Sequence, residues 1–128
     1  MAYTFKRMIE DSFDTAVERT IAALKTEGFG VLSDLDIQAT LKTKIGADLQ
    51  RYRILGACNP PLAHRSLQAE PDIGVMLPCN VIVREISPGK VEVAAINPLA
   101  AMGEIGNPRL TPIAAEVAEK LQRVITGL

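Results

Sequence analysis

Apolar positions along the chain fall into short alternating runs and longer helical stripes, and their order predicts a mixed fold. Residues 2–9 set Tyr3, Phe5 and Ile9 against Thr4 and Lys6, the period of a half-buried strand. Asp11 and Ser12 offer N-cap oxygens. Phe13, Val17, Ile21 and Leu24 then share one helical face, and Gly28 ends that helix. Phe29–Ser33 reads as a second strand. Residues 36–46 read as a short helix capped by Asp36 and closed by Gly46. A third strand, Arg51–Ala57, alternates Tyr52 and Ile54 with Arg53 and Leu55. Asn59 is placed to cap a further helix with Pro60 or Pro61 in its first turn, running to Glu70.

The second half continues the alternation. Cys79–Ile86 and Lys90–Ile96, joined by Pro88-Gly89, predict an antiparallel hairpin closed by Asn97-Pro98. Residues 72–77 read as a short apolar connection and 99–110 as an apolar loop. Thr111 is placed to cap a last helix with Pro112 at its first position. Ile113, Val117, Leu121, Val124 and Leu128 form its buried stripe, and Glu116–Lys120 and Glu119–Arg123 stand at ion-pair spacing.

Two long one-sided helices and about five strands predict a two-layer α+β domain over residues 1–128, with an antiparallel sheet covered on one face by those helices. The second sheet face is expected to carry Leu32, Leu55, Ile82 and Ile96 beside Arg53, Arg84 and Glu92. Such a mixture suits a surface where two copies meet, or one covered by the middle helix and the 99–110 loop.

Composition narrows the partners. Among 128 residues, 48% are apolar and 23% charged, enough to build a core. Aromatic residues make up only 4%, with no Trp, so that core is aliphatic. Fourteen Lys and Arg nearly cancel fifteen Asp and Glu, and no basic stripe points to nucleic acid. No window approaches the roughly 20 apolar residues that span a bilayer, and the first residues have no signal-peptide pattern. The chain reads as a cytoplasmic protein that needs neither a membrane nor a cofactor. In that compartment Cys58 and Cys79 are expected to be free thiols.

Candidate chemistry gathers around those thiols. Cys58-Asn59-Pro60 closes the third strand and Pro78-Cys79-Asn80 opens the fourth. If the two strands pair antiparallel, both cysteines meet at one edge of the sheet. His64, the single histidine, lies on the helix after Cys58, with Met76 and Asp72 nearby in sequence. Cys58, Asn59, Pro60, His64, Pro78, Cys79 and Asn80 are therefore the candidate site. One reading is a small-ligand pocket lined by these residues. Another is a thiol-based enzyme or carrier with Cys58 activated by the helix it precedes. A third is soft-metal binding by Cys58, Cys79 and His64, although the spacing is no known ligand pattern and no structural metal site is assigned. Against all three stands a purely structural or interaction role, because free cysteine commonly packs as a small apolar residue. No catalytic triad, phosphate loop or paired-carboxylate motif is legible.

The run Gly56-Ala57-Cys58-Asn59-Pro60-Pro61-Leu62-Ala63-His64-Arg65-Ser66-Leu67, followed by Glu70-Pro71-Asp72-Ile73-Gly74 and Leu77-Pro78-Cys79-Asn80-Val81, resembles the domain of unknown function 302 family of bacteria and archaea. Gly28-Phe29-Gly30-Val31-Leu32, Asp36-Ile37, Ala95-Ile96-Asn97-Pro98, Ala101-Met102 and Asn107 extend the resemblance over nearly the whole chain. It implies a two-layer fold of the TATA-box-binding-protein-like type and a homodimer. It implies no activity and no catalytic residues, and the fold type alone does not imply DNA binding.

Overall fold

The computed structural model describes all 128 residues. Five strands, β1 (Thr4–Glu10), β2 (Gly30–Asp36), β3 (Tyr52–Cys58), β4 (Cys79–Ser87) and β5 (Lys90–Ile96), form one antiparallel sheet in the order β1-β5-β4-β3-β2. Five helices accompany it: α1 (Phe13–Thr26), α2 (Ile37–Ile45), α3 (Pro60–Ala69), α4 (Pro98–Met102) and α5 (Thr111–Thr126). The architecture is the α+β class expected from the pattern. No helix is long and apolar enough to cross a membrane.

The core lies between the sheet and the pair α1 and α5. Phe13, Val17 and Leu24 are buried as the stripe requires, and Ile21 packs against them only partly buried. Thr20 is also fully enclosed, its hydroxyl satisfied by the Ala16 carbonyl at 2.7 Å. From α5 come Ile113, Val117, Leu121 and Val124, with Ala114, Ala118 and Ile125 widening the stripe. The sheet answers with Val81, Val83, Val91, Val93 and Leu55, all without solvent exposure.

Several boundaries differ from the sequence expectation. Leu55 and Arg53 stand opposite Val81 and Val83, so they lie on the helix-covered face and not the open one. The open face keeps Ile82, Ile96, Arg84 and Glu92, with Ile54 paired to Ile82 and Ala94 beside it. Leu32 falls in a bulge between Val31 and Ser33 and is 71% exposed. The 99–110 loop instead contains α4 and a 3-10 turn, Gly103–Ile105. The reason is local: Asn97 caps α4 and Pro98 fills its first position, where no N–H is needed.

Residues 71–76 likewise wind into a 3-10 turn that buries Ile73. Thr111 is the first residue of α5, not its cap, and its hydroxyl donates to the Asn107 carbonyl at 3.3 Å. The expected pairs within α5 do not form. Glu116 reaches Arg65 on α3 at 3.3 Å, and Arg123 reaches Glu27 at the end of α1 at 3.0 Å. Those charges tie α5 to two other helices instead of to itself.

Candidate functional site

Strands β3 and β5 both run antiparallel to β4, so they finish at the same end of the sheet. Each finishes in Asn-Pro and leads directly into a helix. Asn59 accepts from the Leu62 N–H at 3.4 Å to cap α3, and its amide donates to the Glu27 carbonyl at 3.3 Å. Asn97 accepts from the Leu99 N–H at 3.2 Å to cap α4, and its amide donates to the Ala2 carbonyl at 3.0 Å. Both side chains therefore do the same work. The oxygen starts a helix while the nitrogen ties that helix to another segment.

The two helices launched in this way do not close over the sheet end. A cavity of about 260 Å³ remains between α3, α4, α5 and the ends of β3 and β4. Ala57, Cys58 and Cys79 form its floor, while Leu62, Ala63 and Ser66 come from α3. Pro98 and Met102 of α4, Ala114 and Val117 of α5 and the buried Phe29 complete the walls, with the bulged Leu32 at the rim. No charged residue lines it. Its polar groups are satisfied internally, for the Ser66 hydroxyl donates to the Leu62 carbonyl at 2.8 Å and Asn59 is used in capping. The interior is thus apolar apart from sulfur.

Gly56 decides the shape of the floor. A side-chain carbon there would lie 2.2 Å from Ser33 Oγ and 2.7 Å from Pro78 Cγ. Only glycine lets β2 and Pro78 approach so closely. The Leu77–Pro78 peptide is cis.

Both cysteines are free, Cys58 half-buried and Cys79 8% exposed. Ala57 is the register partner of Cys79, and Cys58 follows it as the last residue of β3, near enough for its charge to act on the Cys79 thiol. Burial pushes the Cys79 thiol up to about 11 from an ordinary 9.0, and the neighbouring Cys58 charge adds to the shift. Cys79 is a neutral thiol at physiological pH.

The structure brings Cys58, Asn59, Pro78 and Cys79 together around the cavity. The other three candidates lie elsewhere. Pro60 is exposed at the first position of α3. His64 is exposed and shares no cavity with the thiols, which removes it from any ligand set with them. Asn80 follows Cys79 by one residue, so the strand period turns it to the open face, where it borders a second hollow of about 230 Å³ together with Pro78 and Cys79. The cysteines sit at the end of inner strands, not along an edge strand. Met102, Pro98 and Ala114 were not legible as site residues. The signal that points to α4 is the repetition of Asn-Pro after two strands of the same direction.

An antiparallel five-stranded sheet with helices on one face and a hollow at one end defines an α+β protein of a particular build, and comparison with known proteins places it. The family model described as "Domain of unknown function DUF302" matches residues 5–128. The chain belongs to the DUF302 family. It is similar to the crystal structure of an uncharacterized conserved DUF302 protein from Bacillus stearothermophilus, with 28% identity, 98% of each chain covered and a TM-score of 0.90. No curated protein matches the chain.

Proposed function

We propose that this protein is a homodimeric binding module whose ligand is a small, mostly apolar molecule held in the cavity at the end of β3 and β4. The observation that carries the reading is the cavity itself: about 260 Å³, uncharged, with its hydroxyl and amide groups already engaged. An apolar cavity of about 150 Å³ is enough to hold benzene, while drug-sized ligands need roughly 300 Å³ or more. The fit is a compact aromatic or branched aliphatic molecule. Burial of such a ligand is driven by the apolar area it loses to water.

The open sheet face supports self-association. Ile54, Ile82 and Ile96, each half-buried, form an apolar field over the buried Ala94 around a cross-strand ion pair, Arg84–Glu92 at 2.9 Å. The pair cancels its own charge, and Lys6, opposite Ala94 in register, adds one positive charge at the margin of the field.

Titration with benzene and indole, followed by NMR shifts, tests the pocket. We expect saturable shifts confined to residues around Ala114 and Leu62, and their loss in Ala114→Leu, which fills the cavity. Shifts that persist in that variant, or none in the native chain, end the ligand reading. Sedimentation tests the face: Ile82→Glu is expected to convert dimer to monomer, and a native chain that sediments as monomer ends the dimer reading.

A further inference from the structure

The apolar cavity has a neighbour. The second hollow, of about 230 Å³, is lined by Val75 and Met76 of the 3-10 turn and by Ala101 of α4. Five residues line both spaces: Leu77, Pro78, Cys79, Pro98 and Met102. Of these, Met102 is the one long, unbranched side chain, and it is only partly buried. It stands on α4, a helix of five residues that Asn97 holds at its start. No charged residue lines either space. Their polar side chains differ in one respect. Asn59 and Ser66 of the inner cavity are committed to hydrogen bonds within the chain, whereas Asn80 of the outer hollow is exposed and its amide is uncommitted.

We propose that the two spaces form one elongated site for an uncharged amphiphile, with its apolar body in the inner cavity, an alkyl chain passing Met102 and a polar head on the Asn80 amide. The proposal rests on the reading of the inner cavity as a ligand site and extends the ligand beyond it. Chemistry assigns the two ends. The inner cavity offers no uncommitted side-chain nitrogen or oxygen, so a polar head placed there would lose its water without replacement. At the exposed Asn80 the same head keeps water on one side and gains an amide that both donates and accepts. A hydroxyl or a carboxamide suits that partner. A carboxylate finds no cation lining either space.

Size follows from the volumes. A cavity of about 150 Å³ that holds benzene allows roughly 25 Å³ per heavy atom. The inner cavity of about 260 Å³ then takes about ten heavy atoms, and the two spaces together about twenty. Compact molecules fill the first space alone. Met102 decides whether a longer one gains the second, because its side chain can turn about its own bonds while α4 stays in place. Each further CH₂ taken out of water then adds affinity by the same apolar burial that holds the body.

The experiment is a titration with phenylalkanols of increasing chain length, from phenylethanol to phenyloctanol, followed by NMR shifts. Affinity is expected to rise roughly fourfold per CH₂ over the whole series, with shifts reaching Asn80 and Ala101 once the probe exceeds about ten heavy atoms. Asn80→Ala should weaken the longest alcohol by about two- to tenfold and leave the alkylbenzene of equal length unchanged. Ala101→Phe, which puts a ring into the outer hollow, should return the longest alcohol to the affinity of the member that just fills the inner cavity, with indole unchanged. The phenylalkanoate of equal length should bind more weakly than the alcohol, and tighter binding overturns the uncharged head. If Ala101→Phe does not fold, the chain-length series and Asn80→Ala at its exposed position decide alone. Affinity that stops rising at about ten heavy atoms, with indole still bound, overturns the proposal and leaves the inner cavity as a site for compact molecules. An equal change of alcohol and alkylbenzene in Asn80→Ala overturns it too. A native chain that binds neither indole nor any phenylalkanol ends the ligand reading of the inner cavity and this extension with it.

Discussion

Strand β3 joins two regions of opposite character. Arg51, just before it, and Arg53, its second residue, lie in a charged, closed end of the molecule. Arg51 stacks 4.5 Å over the Phe13 ring and pairs with Asp14. Arg53 grips Asp34 with both Nε and Nη2, and that bond holds its guanidinium charged above its ordinary range. Asp11 and Arg19 pair nearby at 3.1 Å, and the Asp11 N–H bonds to the Gly89 carbonyl. The last residues of the same strand reach an end that is uncharged, hollow and rich in sulfur. Charges in reach of water give up little when they pair, so they can seal one end without a close fit. The other end is held by caps and by a glycine contact, and this is where space for a ligand is left. Charge closes one end at little energetic gain, while shape carries most of the stability of the other and still leaves a space there.

The contrast can be broken from either side. The largest effect is expected from Gly56→Ala, which forces a carbon against Ser33 and Pro78. Overpacking of that kind costs about 3 kcal/mol, visible as a lower midpoint in urea unfolding and as lost indole shifts. The next concerns Cys79. Its folded thiol titrates near 11 and the unfolded one near 9.0, so the folded state keeps the proton longer. Stability is then full below pH 9.0 and falls as pH rises toward about 11. The loss is about 2–3 kcal/mol. Urea midpoints across that range should show the loss in the native chain and not in Cys79→Ala.

Asn97→Ala removes a buried cap and the tie to Ala2, at a cost of about 2 kcal/mol. Hydrogen exchange should locate the opening in α4, the wall that carries Met102. The smallest effect is expected at the charged end. Arg53→Gln should cost less than about 1 kcal/mol and leave the indole shifts unchanged. A larger loss there than at Asn97 would reverse the division drawn between the two ends.

Much of this was legible from residue order. The β4–β5 hairpin, the stripes of α1 and α5, and the adjoining of the strand ends that carry Cys58 and Cys79 all follow from periodicity and pairing. The open face was harder. Leu55 and Arg53 alternate correctly with Tyr52 and Ile54, but alternation does not say which set faces the helices. Helix α4 was hidden because five residues carry no helical period, and its cap, Asn97-Pro98, resembles a turn. His64 was drawn into the site by proximity in sequence, yet the turn of α3 carries it outward.

Local chemistry settles the elements of this protein. Apolar period separates strand from helix, Asn and Asp oxygens start the helices, and Gly28, Gly46 and Gly89 adopt the left-handed backbone that ends or turns them. These are interactions between near neighbours, and a linear pattern contains them. The cavity is of another kind. It exists because α3, α4 and α5, separated in sequence, are held apart over the end of two inner strands, and because Met102 arrives there from a helix the pattern conceals. Whether distant side chains fill a space or leave it open depends on their shapes in three dimensions, which periodicity does not record.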